Sequence, residues 1–206
     1  MILSANFITR TITAIILLSV AITVFFLGSW AVDFLIISIA LLSCRELYNL
    51  IKSYRITYLL LATIMIIIPY SALIYLYSSN QNMLIWLMLC IWTTDISAYC
   101  FGKKYGNKKI FPTISPNKTW AGLIGAIIMS SICGIIVTYI FHLPSSFLFL
   151  GGIIAVIAQI GDFFESLIKR IYKASDSSSL LPGHGGILDR MDGIIFTAPF
   201  LSMFFV

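Results

Sequence analysis

The sequence predicts an all-α, polytopic integral membrane protein of about seven transmembrane helices. Three observations lead there. Hydrophobic residues make up 60% of the 206 residues and charged residues only 10%, with a mean hydropathy of +1.01. Soluble domains carry about 25% charged residues, so this polar surface is too small to cover so large an apolar core. The apolar residues fall into seven runs, most of them near the roughly 20 residues that a helix needs to cross hydrocarbon. Finally, all 13 Lys and Arg sort to one side: none falls in the first, third or fifth connection between the runs. The same composition excludes intrinsic disorder.

The runs are residues 11–27, 30–44, 56–77, 83–101, 120–141, 147–168 and 187–206. The first follows Arg10. Its apolar core exceeds the about 7–15 residues of a signal peptide and no clean cleavage site follows, so it reads as a retained span. The second is short, carries Asp33 near its start, and is expected to continue past Arg45. The next four are long enough to cross as helices. The last is interrupted by Asp189, Arg190 and Asp192 and is expected to begin at the membrane surface. Connections 28–29, 78–81 and 142–146 hold no Lys or Arg; every basic residue lies on the other side. By the positive-inside rule the N-terminus is then cytoplasmic, and seven spans put residue 206 outside. This sorting accounts for most of the +5 net charge, so no nucleic-acid partner is expected. Cys44, Cys90, Cys100 and Cys133 lack metal-ligand spacing and read as small buried hydrophobes.

Residues 1–90 read as a transmembrane scaffold and residues 91–206 as the region that carries chemistry, within one membrane domain. Asp95 stands inside the fourth run, with Tyr99 one turn on. A charge at the centre of a span costs roughly 2.5–3.5 kcal/mol on insertion scales and usually faces a partner or a polar cavity. At the end of the sixth run, Asp162, Glu165, Ser166 and Lys169 form one helical stripe. Lys169 and Arg170 alone would suit an interfacial anchor, but Asp162 lies two turns deeper and calls for a cation. A second cluster, Asp189 and Asp192, opens the last run. Between the clusters, Asp176, a run of three serines and Pro182-Gly183-His184-Gly185-Gly186 form a turn whose backbone N–H groups suit an anion. Carboxylates on two helices can hold a hard cation such as Mg²⁺, with Lys169, Arg170 and Arg190 neutralising phosphate. The alternative is an ion-paired helix junction, Asp189 with Lys169 for example. An earlier loop adds Ser115-Pro116-Asn117-Lys118-Thr119, in which Ser115 or Asn117 can cap the fifth span and hold Lys118 near its start. It has no Walker A pattern.

These residues resemble the phosphatidate cytidylyltransferase (CDP-diacylglycerol synthase) family. Its signature begins Ser-x-apolar-Lys-Arg and ends Pro-x-His-Gly-Gly-apolar-x-Asp-Arg-apolar-Asp. Here it reads Ser166-Leu167-Ile168-Lys169-Arg170, then Asp176, then Pro182 to Asp192 with the spacing kept. Gly161-Asp162, Trp92/Asp95/Tyr99 and the block from Ile114 to Gly122 also look like the family, so the likeness covers about half the chain. One position departs: where the family usually has Lys before the signature Asp, this chain has Ser175, with Lys173 two residues away.

The resemblance implies transfer of the cytidylyl group of CTP to phosphatidic acid, giving CDP-diacylglycerol and pyrophosphate for phospholipid biosynthesis, with Mg²⁺ as cofactor. It implies Asp162, Asp189, Lys169 and Arg190 as the catalytic set and Asp162, Asp189 and Asp192 as metal ligands. It places Ser115, Asn117, Lys118, Ser166, Arg170, Asp176, His184, Gly185 and Gly186 at the substrates. It further implies a bacterial inner membrane, a cytoplasmic-face active site amid membrane lipids, and suggests a homodimer. A CDP-alcohol phosphotransferase would show an Asp-Gly-x-x-Ala-Arg opening, which is missing. A transporter would distribute polar residues through the bilayer, whereas here they crowd one face. A catalytically silent lipid-binding scaffold is the reading that Ser175 leaves open.

Overall fold

The computed structural model describes residues 5–51, 55–183 and 185–205. Six of the seven apolar runs become long helices. These are α1 (Ala5–Leu27), α2 (Ser29–Ile51), a third built from α3 (Arg55–Ala62), a π-helical turn (Thr63–Ile67) and α4 (Ile68–Ser79), then α5 (Gln81–Tyr105), α6 (Trp120–Ile140) and α7 (Phe147–Ile171). Five of the six are long and apolar enough to cross a membrane, and the apolar part of α1 is Thr11–Leu27. As expected, α2 continues past Arg45. The described residues form no strand.

The seventh run is interrupted at its polar start, as expected. It breaks into α8 (Leu188–Met191) and α9 (Ile194–Ser202), followed by a 3-10 turn, Met203–Phe205. The break falls at Asp192 and Gly193, whose backbone angles stay helical while Asp192 Oδ1 accepts from the Gly193 N–H. The polar start of the run is thus held by the site described below, and α9 is left to pack against α4 and α7.

Short polar caps set the helix ends. Asn80 accepts from Asn82 N–H and begins α5 one residue after α4 ends. Thr119 Oγ1 accepts from Gly122 N–H at 3.1 Å and begins α6. This corrects the expectation that Ser115 or Asn117 would cap that helix: both lie in the preceding turn, and Thr119 has the extended backbone that a cap requires.

Helices α5, α6 and α7 pack most extensively, and Trp86 pins them together. It is fully buried, its Nε1–H donates to Gly134 C=O at 3.0 Å and Thr138 Oγ1 at 3.1 Å, and its ring meets Phe147 edge-on at 4.9 Å. Ser130 Oγ lies 2.9 Å from Gly151 C=O and 3.2 Å from Cys90 C=O at the same crossing. Polar contacts between small-residue faces are how helices associate in lipid, where burial alone gives little drive. Large apolar side chains such as Phe34, Ile96, Tyr139 and Phe149 point outward, as a hydrocarbon surrounding requires. All four cysteines are free; Cys90 is buried, Cys44 and Cys133 are half-buried, and Cys100, expected inside, is exposed on α5.

Trp86→Ala should cost about 3–5 kcal/mol, because it removes a large, fully buried ring together with its contact to Phe147 and its hydrogen bonds to Gly134 and Thr138. The expected readout is a clearly lower melting temperature in detergent, with the outward-facing Phe149→Ala unchanged.

Candidate active site

The polar stripe on the last turns of α7 forms the floor of the site. Asp162 and Glu165 point toward Asp192, and each of the three offers a carboxylate oxygen within 4.8 Å of the others. Their approach depends on Gly161: a Cβ there would lie 2.4 Å from the Asp192 carbonyl oxygen. Glu165 is 1% exposed, and its Oε1 has no hydrogen-bond donor among the described residues. Asp95, from α5, is within electrostatic range of Lys118, Asp162 and Arg190. Burial, with Asp162 and Asp95 close by, raises the Asp192 carboxyl above its usual range.

Two lysines enter from opposite sides. Lys118 pairs with Asp162 and donates to Gln159 Oε1 at 2.8 Å. It stands just before α6 because the connection after α5 folds back on itself, with Ile110 N–H donating to Lys118 C=O and Trp120 N–H to Lys108 C=O, both at 3.1 Å. Phe111 of that connection meets Phe163 of α7 edge-on at 5.3 Å, which ties the loop to the helix bearing the carboxylates. Lys169 lies 2.7 Å from Glu165 Oε2 and 2.9 Å from Asp189 Oδ1, bridging α7 to α8.

Asp189 has a different place from the one expected. It is not in the three-carboxylate group; Glu165 stands there beside Asp162 and Asp192. Both Asp189 oxygens are taken up by the loop and by Lys169. Ser177 N–H donates to Oδ1 at 3.1 Å and Oδ2 at 3.0 Å, Ser177 Oγ lies 3.1 Å from Oδ2, and Gly186 N–H donates to Oδ2 at 2.7 Å. Burial works against its charge, but contacts with Glu165, the Gly186 N–H and Lys169 outweigh it and hold the Asp189 carboxyl below its usual range. The ion-paired junction of Asp189 with Lys169, weighed from the sequence, is present in the structure.

The loop between α7 and α8 closes through a bridge from Leu181 N–H to Gly185 C=O at 2.8 Å, with Gly183 and Gly185 at positive φ. It walls a cavity of about 640 Å³ lined by Asp176, Ser178, Ser179, Pro182, Gly183 and Arg190, among others. Gly185 also lines it, but the Gly186 N–H is spent on Asp189 rather than offered to a ligand. Ser175 Oγ donates to Asp176 Oδ2 at 3.0 Å. Ser166 Oγ donates to Asp162 Oδ1 at 3.3 Å. Arg170 is exposed, and its guanidinium lies 3.4 Å from both Ile114 C=O and Ala174 C=O, touching the two loops at once. Asn117 and Lys118 line a smaller cavity of about 140 Å³ with Tyr99 and Gln159, while Ser115 stays in the turn behind, its C=O accepting from Lys118 N–H. His184 lies outside the described residues.

Glu165 belonged to the stripe but not to the expected ligands. Glu46, on α2, was not singled out at all. It is buried, and the α7–α8 loop donates to it from both ends. The only signal was a carboxylate, next to Arg45, inside a helix that is apolar on either side at Leu41-Leu42 and Leu47.

Residues 72–206, from within α4 to the end of the chain, match the profile of the cytidylyltransferase family. The chain is 42% identical over 182 residues to a phosphatidate cytidylyltransferase of Rickettsia bellii, covering 81% of this chain and 77% of the relative. It is 37% identical over 205 residues to the Rickettsia typhi protein of the same name, covering 94% and 90%. A Bacillus subtilis phosphatidate cytidylyltransferase is 45% identical over 114 residues, 54% of this chain and 42% of that protein. The profile match covers well over half of the chain and takes in Asp95, Lys118, Asp162, Glu165, Lys169, Asp189 and Asp192, and on that ground the chain belongs to the cytidylyltransferase family.

Proposed function

We propose that this protein transfers the cytidylyl group of CTP to phosphatidic acid, releasing pyrophosphate and forming CDP-diacylglycerol for phospholipid synthesis. The observation that carries this reading is the Asp162, Glu165 and Asp192 group, flanked by Lys118 and Lys169 beside a polar cavity closed by the glycine turn. The relatives' names point to the same reaction.

The residues fit Mg²⁺. The group offers hard oxygen donors only, close enough for one ion, and includes the buried, undonated Glu165 Oε1. Asp162, Glu165 and Asp192 would hold the cation, with Asp189 orienting Lys169 rather than ligating. Bound there, Mg²⁺ would supply charge neutralisation at the phosphates.

The protein's own groups then do the positioning. Arg190, Ser178 and Ser179 line the cavity, which is where the triphosphate of CTP would lie. Lys118 stands on the other side of the carboxylates and is suited to the lipid phosphate. That phosphate is already largely ionised near pH 7, so it needs no general base. One of its oxygens bonds to the α-phosphorus of CTP as the bond from that phosphorus to the bridging oxygen breaks, and the electron pair leaves with pyrophosphate. Such a transfer depends on alignment and charge compensation, which the lysines and Arg190 supply. The sorting of Lys and Arg to one side supports a cytoplasmic N-terminus and a site on the cytoplasmic face.

Four outcomes are expected. Purified protein with CTP, phosphatidic acid and Mg²⁺ should release pyrophosphate, and Asp162→Asn and Asp192→Asn should each lower turnover at least a hundredfold. Both should also lose the rise in melting temperature that Mg²⁺ gives the wild type. Asp189→Asn should lose turnover yet keep that rise; its disappearance would return Asp189 to the metal. Ser175→Lys should lower the KM for CTP severalfold at low salt by adding charge beside Asp176, and an unchanged KM would mean that residue 175 does not face the triphosphate. With the four native cysteines replaced by Ala, Lys108→Cys should react with an impermeant maleimide only from the cytoplasmic side of the membrane, and labelling from outside would reverse the topology.

A further inference from the structure

Glu46 lies on α2, in the half of the chain that reads as scaffold, yet it is 4% exposed and no lysine or arginine among the described residues pairs with it. Four donors of a single loop satisfy it instead. Ser178 Oγ donates to Oε1 at 2.6 Å, and Ile187 N–H reaches the same oxygen at 3.0 Å. Ser177 Oγ, whose one proton is shared with Asp189 Oδ2, lies 3.0 Å from Oε2, and Leu188 N–H donates to Oε2 at 2.9 Å. Two donors come from the start of the loop and two from its end, so one carboxylate clamps both. Gly186 leaves the room: a Cβ there would stand 1.9 Å from Ser177 Oγ and 2.6 Å from Glu46 Oε2. From the clamp a line of contacts continues inward. Ser177 N–H donates to Asp189, Asp189 accepts from Lys169, and Lys169 pairs with Glu165 of the carboxylate group.

We propose that Glu46 is a positioning residue for the transfer reaction: by holding both ends of the α7–α8 loop on α2, it sets the shape of the nucleotide cavity and the orientation of Asp189, without touching substrate. The proposal rests on the cytidylyl-transfer reading above. A carboxylate is needed, not merely a polar group. The N–H groups of Ile187 and Leu188 point at different oxygens, so an amide would turn an NH₂ against one of them and leave that N–H unsatisfied.

The test is Glu46→Gln, purified in detergent and compared with wild type in two ways. In steady-state kinetics the KM for CTP should rise about tenfold or more, the scale of one lost hydrogen bond to a charged group, while the KM for phosphatidic acid stays within about threefold. In hydrogen exchange without substrates, the Ile187 and Leu188 amides should exchange faster while α6 is unchanged. Unaltered kinetics would overturn the proposal, and so would equal changes in both KM values with faster exchange throughout α5 to α7. Ser178→Ala removes one hydroxyl donor and keeps both backbone donors, so it should move the same two readouts by less. It serves if Glu46→Gln does not fold, and no change in it would then overturn the clamp. If wild type releases no pyrophosphate from CTP, the reaction assignment fails, while exchange at Ile187 and Leu188 still decides on the clamp.

Discussion

A carboxylate taken out of water into the end of an apolar helix bundle must be compensated by a cation or by several donors, and here five carboxylates face that demand together. Asp162, Glu165 and Asp192 converge, Asp189 lies one lysine away, and Glu46 sits behind the loop. The compensation is divided unequally. Glu46 and Asp189 are satisfied by backbone N–H groups and serine hydroxyls of one loop, with Lys169 shared between Asp189 and Glu165. Among the described residues, the cations beside the converging three are Lys118 and a shared Lys169, with two neutral donors, Ser166 Oγ and Gly193 N–H, for three carboxylates. Negative charge is thus concentrated at one point, which is where the cation proposed above would gain most.

The bundle around this point is built for rigidity. Trp86 and Ser130 join α5, α6 and α7 through hydrogen bonds to backbone carbonyls, and α7 carries its carboxylates on the end that emerges from that packing. Both polar loops are tied to the same end: the first by Phe111 against Phe163, the second by Asp189 and Glu46, and Arg170 reaches a carbonyl of each. A transfer between two phosphate groups needs alignment more than a strong acid or base. Loops fixed at several points by packed helices can hold that alignment; unsupported loops could not.

The carboxylates therefore have separate roles despite similar chemistry. Asp162 and Glu165 are one helical turn apart on α7 and share a face by construction. Asp192 joins them because the helical path after Met191 passes against Gly161. Asp189 shares a motif with Asp192 yet turns toward the loop, where Ser177 and Gly186 N–H groups await it. Adjacent motif positions are thus divided between holding charge for a ligand and holding the protein itself.

Much of this was legible in the chain. Composition and run length determine a polytopic helical membrane protein, because apolar segments of that length have no other stable place. The i, i+3, i+4, i+7 spacing of Asp162, Glu165, Ser166 and Lys169 determines their shared face, since helix geometry is local. The sorting of Lys and Arg is likewise a property of the chain alone. What the tertiary structure decided are the contacts between segments distant in sequence. It made Thr119 the cap that places Lys118, broke the last run at Asp192, gave Glu165 the place expected for Asp189, and brought Glu46 to a loop more than 130 residues away. The physical reason is the same in each case. Local spacing dictates which side chains share a face, but which partner satisfies a buried carboxylate depends on what packing brings within about 3 Å of it.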